Sequence, residues 1–275
     1  MTVTQPRQAA VPLPVWQAGG VRMGFFTDTS ICIGCKACEV ACKEWNGVPD
    51  VDPTWSGHSY DNTMRLGANS WRHVAFVERR RPDSGQGMQW LMSSDVCKHC
   101  TRAACMEVCP TGAIFRTEFG TVVVQDDVCN GCGYCVSACP FGVIERRADD
   151  GRAFKCTLCY DRLKVGEKPA CAKACPTESI QFGPLEELRE RATVRLATVR
   201  AEPGHESAQL YGADEGDGVG GFGAFFLLLD RPEVYGMPPT PTYRRRELAT
   251  MWGVASVASA LILAGVFGSL RRKDR

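Results

Sequence analysis

The sequence predicts an α+β fold: two small cysteine-rich modules followed by one long apolar helix. Three observations predict it. The chain of 275 residues carries 16 cysteines in four groups of four, short apolar runs with strand character separate the groups, and Leu248 to Leu270 carry no charge. Lys and Arg total 32 against 31 Asp and Glu, a net charge of +1, so no global field marks a nucleic-acid binder and no such partner is expected. An even cysteine count suits a disulfide scaffold, but such scaffolds are short secreted domains, whereas this chain is long and 44% hydrophobic.

The elements follow in chain order. Met1–Gly20 contains Pro6, Pro12 and Pro14 and no continuous apolar stretch, so it reads as an extended arm rather than a secretory leader. Trp71–Glu78, Ala113–Arg116 and Thr121–Val124 have strand character. Val48–Asn69, rich in Pro, Gly and Asp and without a period, is expected to be a surface insertion. Leu185, Leu188, Ala192, Leu196 and Val199 recur at helical spacing, which predicts an amphipathic helix over Pro184–Arg200. Phe222–Leu229 reads as an apolar strand, and a Pro-rich connector leads from it to the terminal apolar stretch.

The cysteine groups carry the chemistry. They are Cys32, Cys35, Cys38, Cys42; Cys97, Cys100, Cys105, Cys109; Cys129, Cys132, Cys135, Cys139; and Cys156, Cys159, Cys171, Cys175. The first and third share the spacing C-x2-C-x2-C-x3-C, the others stretch one gap, and all but the first end in Cys-Pro, at Pro110, Pro140 and Pro176. Three thiolates in a tight loop can wrap one face of an iron–sulfur cube, and the fourth, one helical turn on, ligates the other cluster of a pair. The sixteen thiols fill four [4Fe–4S] cubes in two ferredoxin-like dicluster modules. Gly34, Gly131 and Gly133 sit between cysteines, where backbone must approach the cluster.

Two rivals fail on spacing. Structural zinc sites pair one C-x2-C with a distant pair instead of setting three cysteines in a row. The C-x3-C-x2-C of radical S-adenosylmethionine enzymes is absent, and no iron is left open for a substrate. Electron transfer is the remaining task, with no catalytic residue expected. His99 has no vacancy to fill and is expected to pack, while His58, His73 and His205 are too scattered to hold haem. Trp45, Tyr134 and Tyr160 are expected to shield or pack; Lys43, Lys98, Lys155 and Lys173 sit beside ligands, where their charge would raise reduction potentials, but as a rule such residues form a solvated face.

With the cysteines placed, three runs are telling: Cys32-Ile33-Gly34-Cys35-Lys36-Ala37-Cys38 through Cys42 to Asn46, Cys129-Asn130-Gly131-Cys132-Gly133-Tyr134-Cys135 to Phe141, and Lys155-Cys156-Thr157-Leu158-Cys159. Gly218–Gly221, Pro232-Glu233-Val234-Tyr235-Gly236 and the terminal apolar stretch follow the same plan. From about residue 25 onward the chain resembles the iron–sulfur (beta) subunit of membrane-bound, molybdopterin-dependent formate dehydrogenases. The cysteine groups alone also suit the equivalent subunits of nitrate, sulfoxide or polysulfide enzymes.

The resemblance implies that the first group pairs with the fourth and the second with the third. Set one would be Cys32, Cys35, Cys38 and Cys175; set two Cys156, Cys159, Cys171 and Cys42; set three Cys97, Cys100, Cys105 and Cys139; set four Cys129, Cys132, Cys135 and Cys109. It further implies a first module over 25–90 and 146–183, a second over 91–145, and a helix, strand and connector over 184–243, after an arm over 1–24. Electrons would pass from a molybdopterin-containing catalytic subunit through the first module, then the second, to a membrane cytochrome b.

Residues 248–270 as a helix would span about 34 Å, the thickness of the hydrocarbon core, which predicts one transmembrane helix and a basic tail over 271–275. Ser256, Ala260, Ala264 and Gly268 form a small-residue stripe on which the cytochrome subunit is expected to pack, and Trp252 is an interfacial anchor. Arg244, Arg245 and Arg246 precede the span and Arg271, Arg272, Lys273 and Arg275 follow it, so the charge count leaves orientation open. The resemblance places the clusters on the outer face of the cytoplasmic membrane, with the cytosolic face as the alternative.

Overall fold

The segment Met23–Asp28 (β1) is buried from end to end, and the rest of the fold is built around it. The computed structural model describes residues 21–50, 55, 57, 60–80, 87–216, 218–242 and 248–273. The expected arm to Gly20, the arginines 244–246, and the side chains of Gly268 and of the basic tail lie outside the described residues.

β1 pairs in parallel with β10 (Ala224–Leu228) and antiparallel with β8 (Ile180–Pro184), and β9 (Gln209–Tyr211) completes a sheet of order β8-β1-β10-β9. All five residues of β10 are buried, as a strand in the middle of a covered sheet requires. The expected helix is α6 (Leu185–Arg200), whose Leu185, Leu188, Ala192 and Val199 are buried. Pro184 caps it and Glu186 and Glu187 occupy the first turn, where the helix dipole favours acids. Arg195 Nε donates to Asp28 Oδ2 at 2.8 Å, tying α6 to the end of β1 where the first cysteine loop begins.

Register brings the first and fourth groups together. Thr27 lies opposite Ile180, so Cys32 just after β1 and Cys175 just before β8 emerge at the same sheet end. Asp28 N–H donates to Ser179 O at 2.8 Å, and Ser179 Oγ to Asp28 O at 2.6 Å, closing that corner. The strand expected over Trp71–Glu78 is β2 (Arg72–Arg80), paired with β3 (Met88–Val96) in a long hairpin. β3 was not expected from the sequence.

The second and third groups sit on smaller elements: the ribbons β4 (Ile114–Arg116) with β5 (Val122–Val124) and β6 (Glu145–Arg146) with β7 (Ala153–Phe154), and the helices α2 (Ala104–Glu107) and α3 (Tyr134–Ala138). This part is held to the main sheet by backbone hydrogen bonds. Gly223 N–H donates to His99 O at 3.2 Å, Ala224 N–H to Lys98 O at 3.0 Å and Arg102 N–H to Val219 O at 2.8 Å.

The expected surface insertion needs correction where it is described. Leu66 and Ala68 are buried, and Glu145 accepts from Ala68 N–H at 3.2 Å, so its end is a strut between the hairpin and the β6–β7 ribbon. At the C-terminus, α7 runs Leu248–Lys273 with every described side chain, Met251 to Gly265, exposed. Among the described residues no helix is long and apolar enough to cross a membrane, and the span expected over 248–270 extends beyond those side chains at both ends.

Candidate metal centres

The four cysteine groups share one backbone design. In each, the residue before the second cysteine takes a left-handed conformation: Gly34 (φ 65°), His99 (44°), Gly131 (73°) and Leu158 (58°). Such a turn gathers successive backbone N–H groups into a concave, anion-binding nest of the kind found at iron–sulfur sites. A non-glycine residue pays strain there, so two bulky residues keeping the turn argue that the loop shape has a use. At Gly34 a Cβ would meet Met92 Sδ at 2.5 Å and Phe76 at 2.7 Å; at Gly131 it would meet Gly151 O at 2.6 Å.

The third cysteine is the second residue of a helix in all four groups: Cys38 in α1 (Ala37–Asn46), Cys105 in α2, Cys135 in α3, and Cys171 in α5 (Ala170–Ala174), which follows the short α4 (Tyr160–Lys164). One turn later comes the fourth. Where proline follows, the helix stops before or at that cysteine, and the N–H of Gly112, Gly142 or Glu178 turns back to Cys109 O, Cys139 O or Cys175 O. Cys42 lacks the proline, and α1 continues through it to Asn46.

These loops bring cysteines from distant groups together. One cavity is lined by Cys97, Cys100, Cys105 and Cys139, and another by Cys32, Cys35, Cys38 and Cys175. Cys42 is pushed far up by burial and then by its neighbours Cys156 and Cys171. Cys135 is pushed up to about 11 by burial and by Cys129 and Cys132, with Cys109 also acting on it. Relations also run between these foursomes, since Cys38 feels Cys171, Cys156 feels Cys97, and Cys105 feels Cys135. None of the sixteen cysteines forms a disulfide, and only Cys35 and Cys132 are exposed.

The electrostatics suit a cationic guest. Burial and mutual repulsion push Cys156 and Cys105 up to about 12 and Cys38 and Cys159 to about 11, so the thiolates need positive charge among them. Hydrogen bonds wait at the sulfurs: Leu158 N–H donates to Cys156 Sγ at 3.2 Å, and Asn46 Nδ2 lies 3.7 Å from Cys42 Sγ and 3.8 Å from Cys159 Sγ. Among the described residues no three His, Cys, Asp or Glu side chains converge closely enough for a single metal ion. Four sulfurs around a cavity match a cube, in which each thiolate binds its own iron.

Two expectations about flanking residues fail. Lys98 and Lys155 are each only 1% exposed, not a solvated face. Lys98 Nζ pairs with Asp95 and packs over the rings of Phe141 and Phe226. Lys155 Nζ donates to Val122 O and to Cys156 O, and burial's pull on its pKa is outweighed by Cys97, Cys105, Cys156 and Cys139. Arg72, which the sequence did not single out, is 2% exposed and donates from Nη2 to Cys171 Sγ at 3.2 Å. His99 packs as expected: its Nδ1 accepts from Val122 N–H at 3.0 Å, and Nε2, buried on a residue lining the cavity of Cys97 and Cys139, has no partner among the described residues. Trp45 is half-exposed, donating to Asp161 Oδ2 at 2.7 Å with Arg162 over its ring, and Tyr134 is exposed.

Comparison with known proteins agrees with this geometry. Residues 31–113 and 88–185 each match the 4Fe-4S dicluster domain. The formate dehydrogenase iron-sulfur subunit of Haemophilus influenzae is 41% identical over 235 residues, 84% of this chain and 73% of the relative. The nitrate-inducible formate dehydrogenase iron-sulfur subunit of Escherichia coli is 43% identical over 78% of this chain and 71% of its own length. A subunit of the anaerobic dimethyl sulfoxide reductase of E. coli is 39% identical but matches only 61% of this chain, against 76% of its own. Loops, donor sets and relatives agree: the chain belongs to the family of formate dehydrogenase iron–sulfur subunits.

Proposed function

We propose that this chain is the electron-transfer subunit of a membrane-bound formate dehydrogenase, carrying electrons from a molybdopterin catalytic subunit toward a membrane cytochrome b that reduces quinone. One observation carries the reading: the same left-handed cysteine loop occurs four times and gathers sulfurs from different groups around shared cavities. Sets one to four are the ligands of four [4Fe–4S] clusters. When bound, the clusters supply one-electron oxidation and reduction.

The chain's own residues order and insulate that relay. Electrostatic influence of Cys171 on Cys38, of Cys97 on Cys156 and of Cys135 on Cys105 supports the order one, two, three, four. The two exposed cysteines, Cys35 and Cys132, fall in the two terminal sets, where electrons must be exchanged with other subunits. Of the inner sets, Cys42, Cys156, Cys159, Cys171 and Cys97 are buried and Cys100, Cys105 and Cys139 half-buried, which limits water in the middle of the path. Residues 248–270 form the single membrane span, with Ser256, Ala260, Ala264 and Gly268 against the cytochrome subunit, and the cluster modules lie on the outer face.

Formate added to the anaerobic complex is expected to bleach the visible absorbance of the clusters. Bleaching by another donor but not by formate would transfer the assignment to a related enzyme, such as a sulfoxide reductase.

A further inference from the structure

Arg72 and Lys155 present a charge problem that the fold does not solve. Both are essentially excluded from solvent, and among the described residues neither has a carboxylate partner. The Arg72 guanidinium donates from Nη1 to Ser94 O at 3.2 Å and Ser94 Oγ at 3.3 Å, donates from Nη2 to Cys171 Sγ at 3.2 Å, and lies 4.9 Å from the Phe25 ring centroid. Lys155 Nζ meets only the carbonyls of Val122 and Cys156. Buried cations without counter-charge are costly, so an anionic group belongs beside each.

Their positions name that group. Arg72 acts on Cys38 of set one and on Cys171, Cys156 and Cys42 of set two; Ser94 Oγ, which accepts from Arg72, is 3.2 Å from Cys38 Sγ. A hydrogen-bonded bridge thus runs from Cys171 through Arg72 and Ser94 to Cys38. Lys155 directly precedes Cys156 of set two and lines the cavity shared by Cys97, Cys100, Cys105 and Cys139 of set three. One cation occupies each of the first two gaps. No such buried cation stands between sets three and four among the described residues: Arg116, near Cys100 and Cys105, is partly exposed and occupied with the carbonyls of Gly120, Cys100 and Thr101.

We propose that Arg72 and Lys155 are fixed counter-charges of the electron path, raising the reduction potentials of the clusters they flank. Arg72 does so for clusters one and two, Lys155 for two and three. The reasoning is electrostatic: reduction adds negative charge to a cluster already ligated by four thiolates, and a positive charge fixed nearby in a low-dielectric interior stabilises the reduced form. Both are positioning residues, since neither ligates iron. The inference rests on the cluster assignment above.

Potentiometric titration of the purified complex, followed cluster by cluster by electron paramagnetic resonance, tests it. In R72Q, at a fixed potential, the reduced-to-oxidised ratio of clusters one and two is expected to fall roughly tenfold, equal to about 59 mV for a one-electron couple. K155Q should lower clusters two and three, and cluster four is the internal control in both. R72K keeps the charge without the fork and should hold clusters one and two close to wild type; a tenfold fall there as well would assign the effect to geometry and overturn the proposal. Loaded variants with unchanged potentials, or with all four shifted equally, would also overturn it. Should R72Q fail to load, R72K and K155Q carry the decision. Wild-type protein without clusters would instead refute the proposed function.

Discussion

The two halves of the electron path use the same loop in unlike surroundings. Sets one and two hang from a four-stranded sheet whose buried core includes Phe25, Phe26, Phe225, Phe226 and Leu227, and five of their eight cysteines are themselves buried. Sets three and four sit on two-residue and three-residue ribbons around a core of six buried side chains, Ala103, Ile114, Val122, Cys135, Ile144 and Ala153, and only Cys97 and Cys135 of their cysteines are buried. Burial of one large apolar side chain contributes about 1.5–3 kcal/mol. The sheet half has many such side chains and the ribbon half few. The difference predicts that one half folds on its own core, while the other depends on bound metal for its fold.

Removing iron should break that comparison most visibly. With the protein stripped by a chelator under anaerobic conditions, amides of α3 and of β4 through β7 are expected to lose protection from hydrogen exchange, while those of β1, β8 and β10 keep theirs. Equal loss in both halves would show that the sheet also depends on metal.

The next largest effect comes from the crossing ligands. Cys42→Ser is expected to damage the cluster of Cys156, Cys159 and Cys171, leaving that of Cys32, Cys35 and Cys38 intact by electron paramagnetic resonance. Loss of the latter instead would mean that each group closes its own cluster.

A smaller effect is expected at the loop glycines. Gly131→Ala forces a Cβ onto the backbone carbonyl of Gly151, whereas at Gly34, also at positive φ, the obstacles are the side chains of Met92 and Phe76, which can shift more than backbone. The former should cost about 1–3 kcal/mol, read as lowered iron retention at set four during dilution, and the latter less. The reverse order would place the rigid half at the ribbons.

The smallest effect is a pH dependence at the edge of the sheet half. Burial raises the Asp61 carboxyl, but the Met64 N–H, His73 and Lys36 outweigh it and hold the group below the usual carboxylate range. A depressed carboxyl contributes its stability in full above the unfolded value, near 3.8, and loses it as pH falls through the folded one. Asp61→Asn should therefore lower stability at pH 7 and show a shrinking deficit below about pH 4. A deficit that does not shrink in acid would remove Asp61 from the account.

Much of the site was legible because cysteine spacing is a local signal. The strands Ile114–Arg116, Val122–Val124 and Ala224–Leu228 and the helix Leu185–Arg200 also carry their patterns in neighbouring residues. β1 was missed because its apolar run is short and its parallel partner lies nearly two hundred residues away. Burial of Lys98, Lys155 and Arg72 was missed for a related reason. A basic residue ordinarily means solvent, and the groups that cover these three lie far off in the chain: Cys171 for Arg72, Val122 for Lys155, and the rings of Phe141 and Phe226 for Lys98, whose polar partner Asp95 is local.

The most direct test of the central claim is iron and acid-labile sulfide quantified on anaerobically purified protein. About sixteen irons and as many sulfides per chain are expected, four of each per cube, with visible-region absorbance. A colourless chain holding about four zinc ions and no sulfide would contradict it.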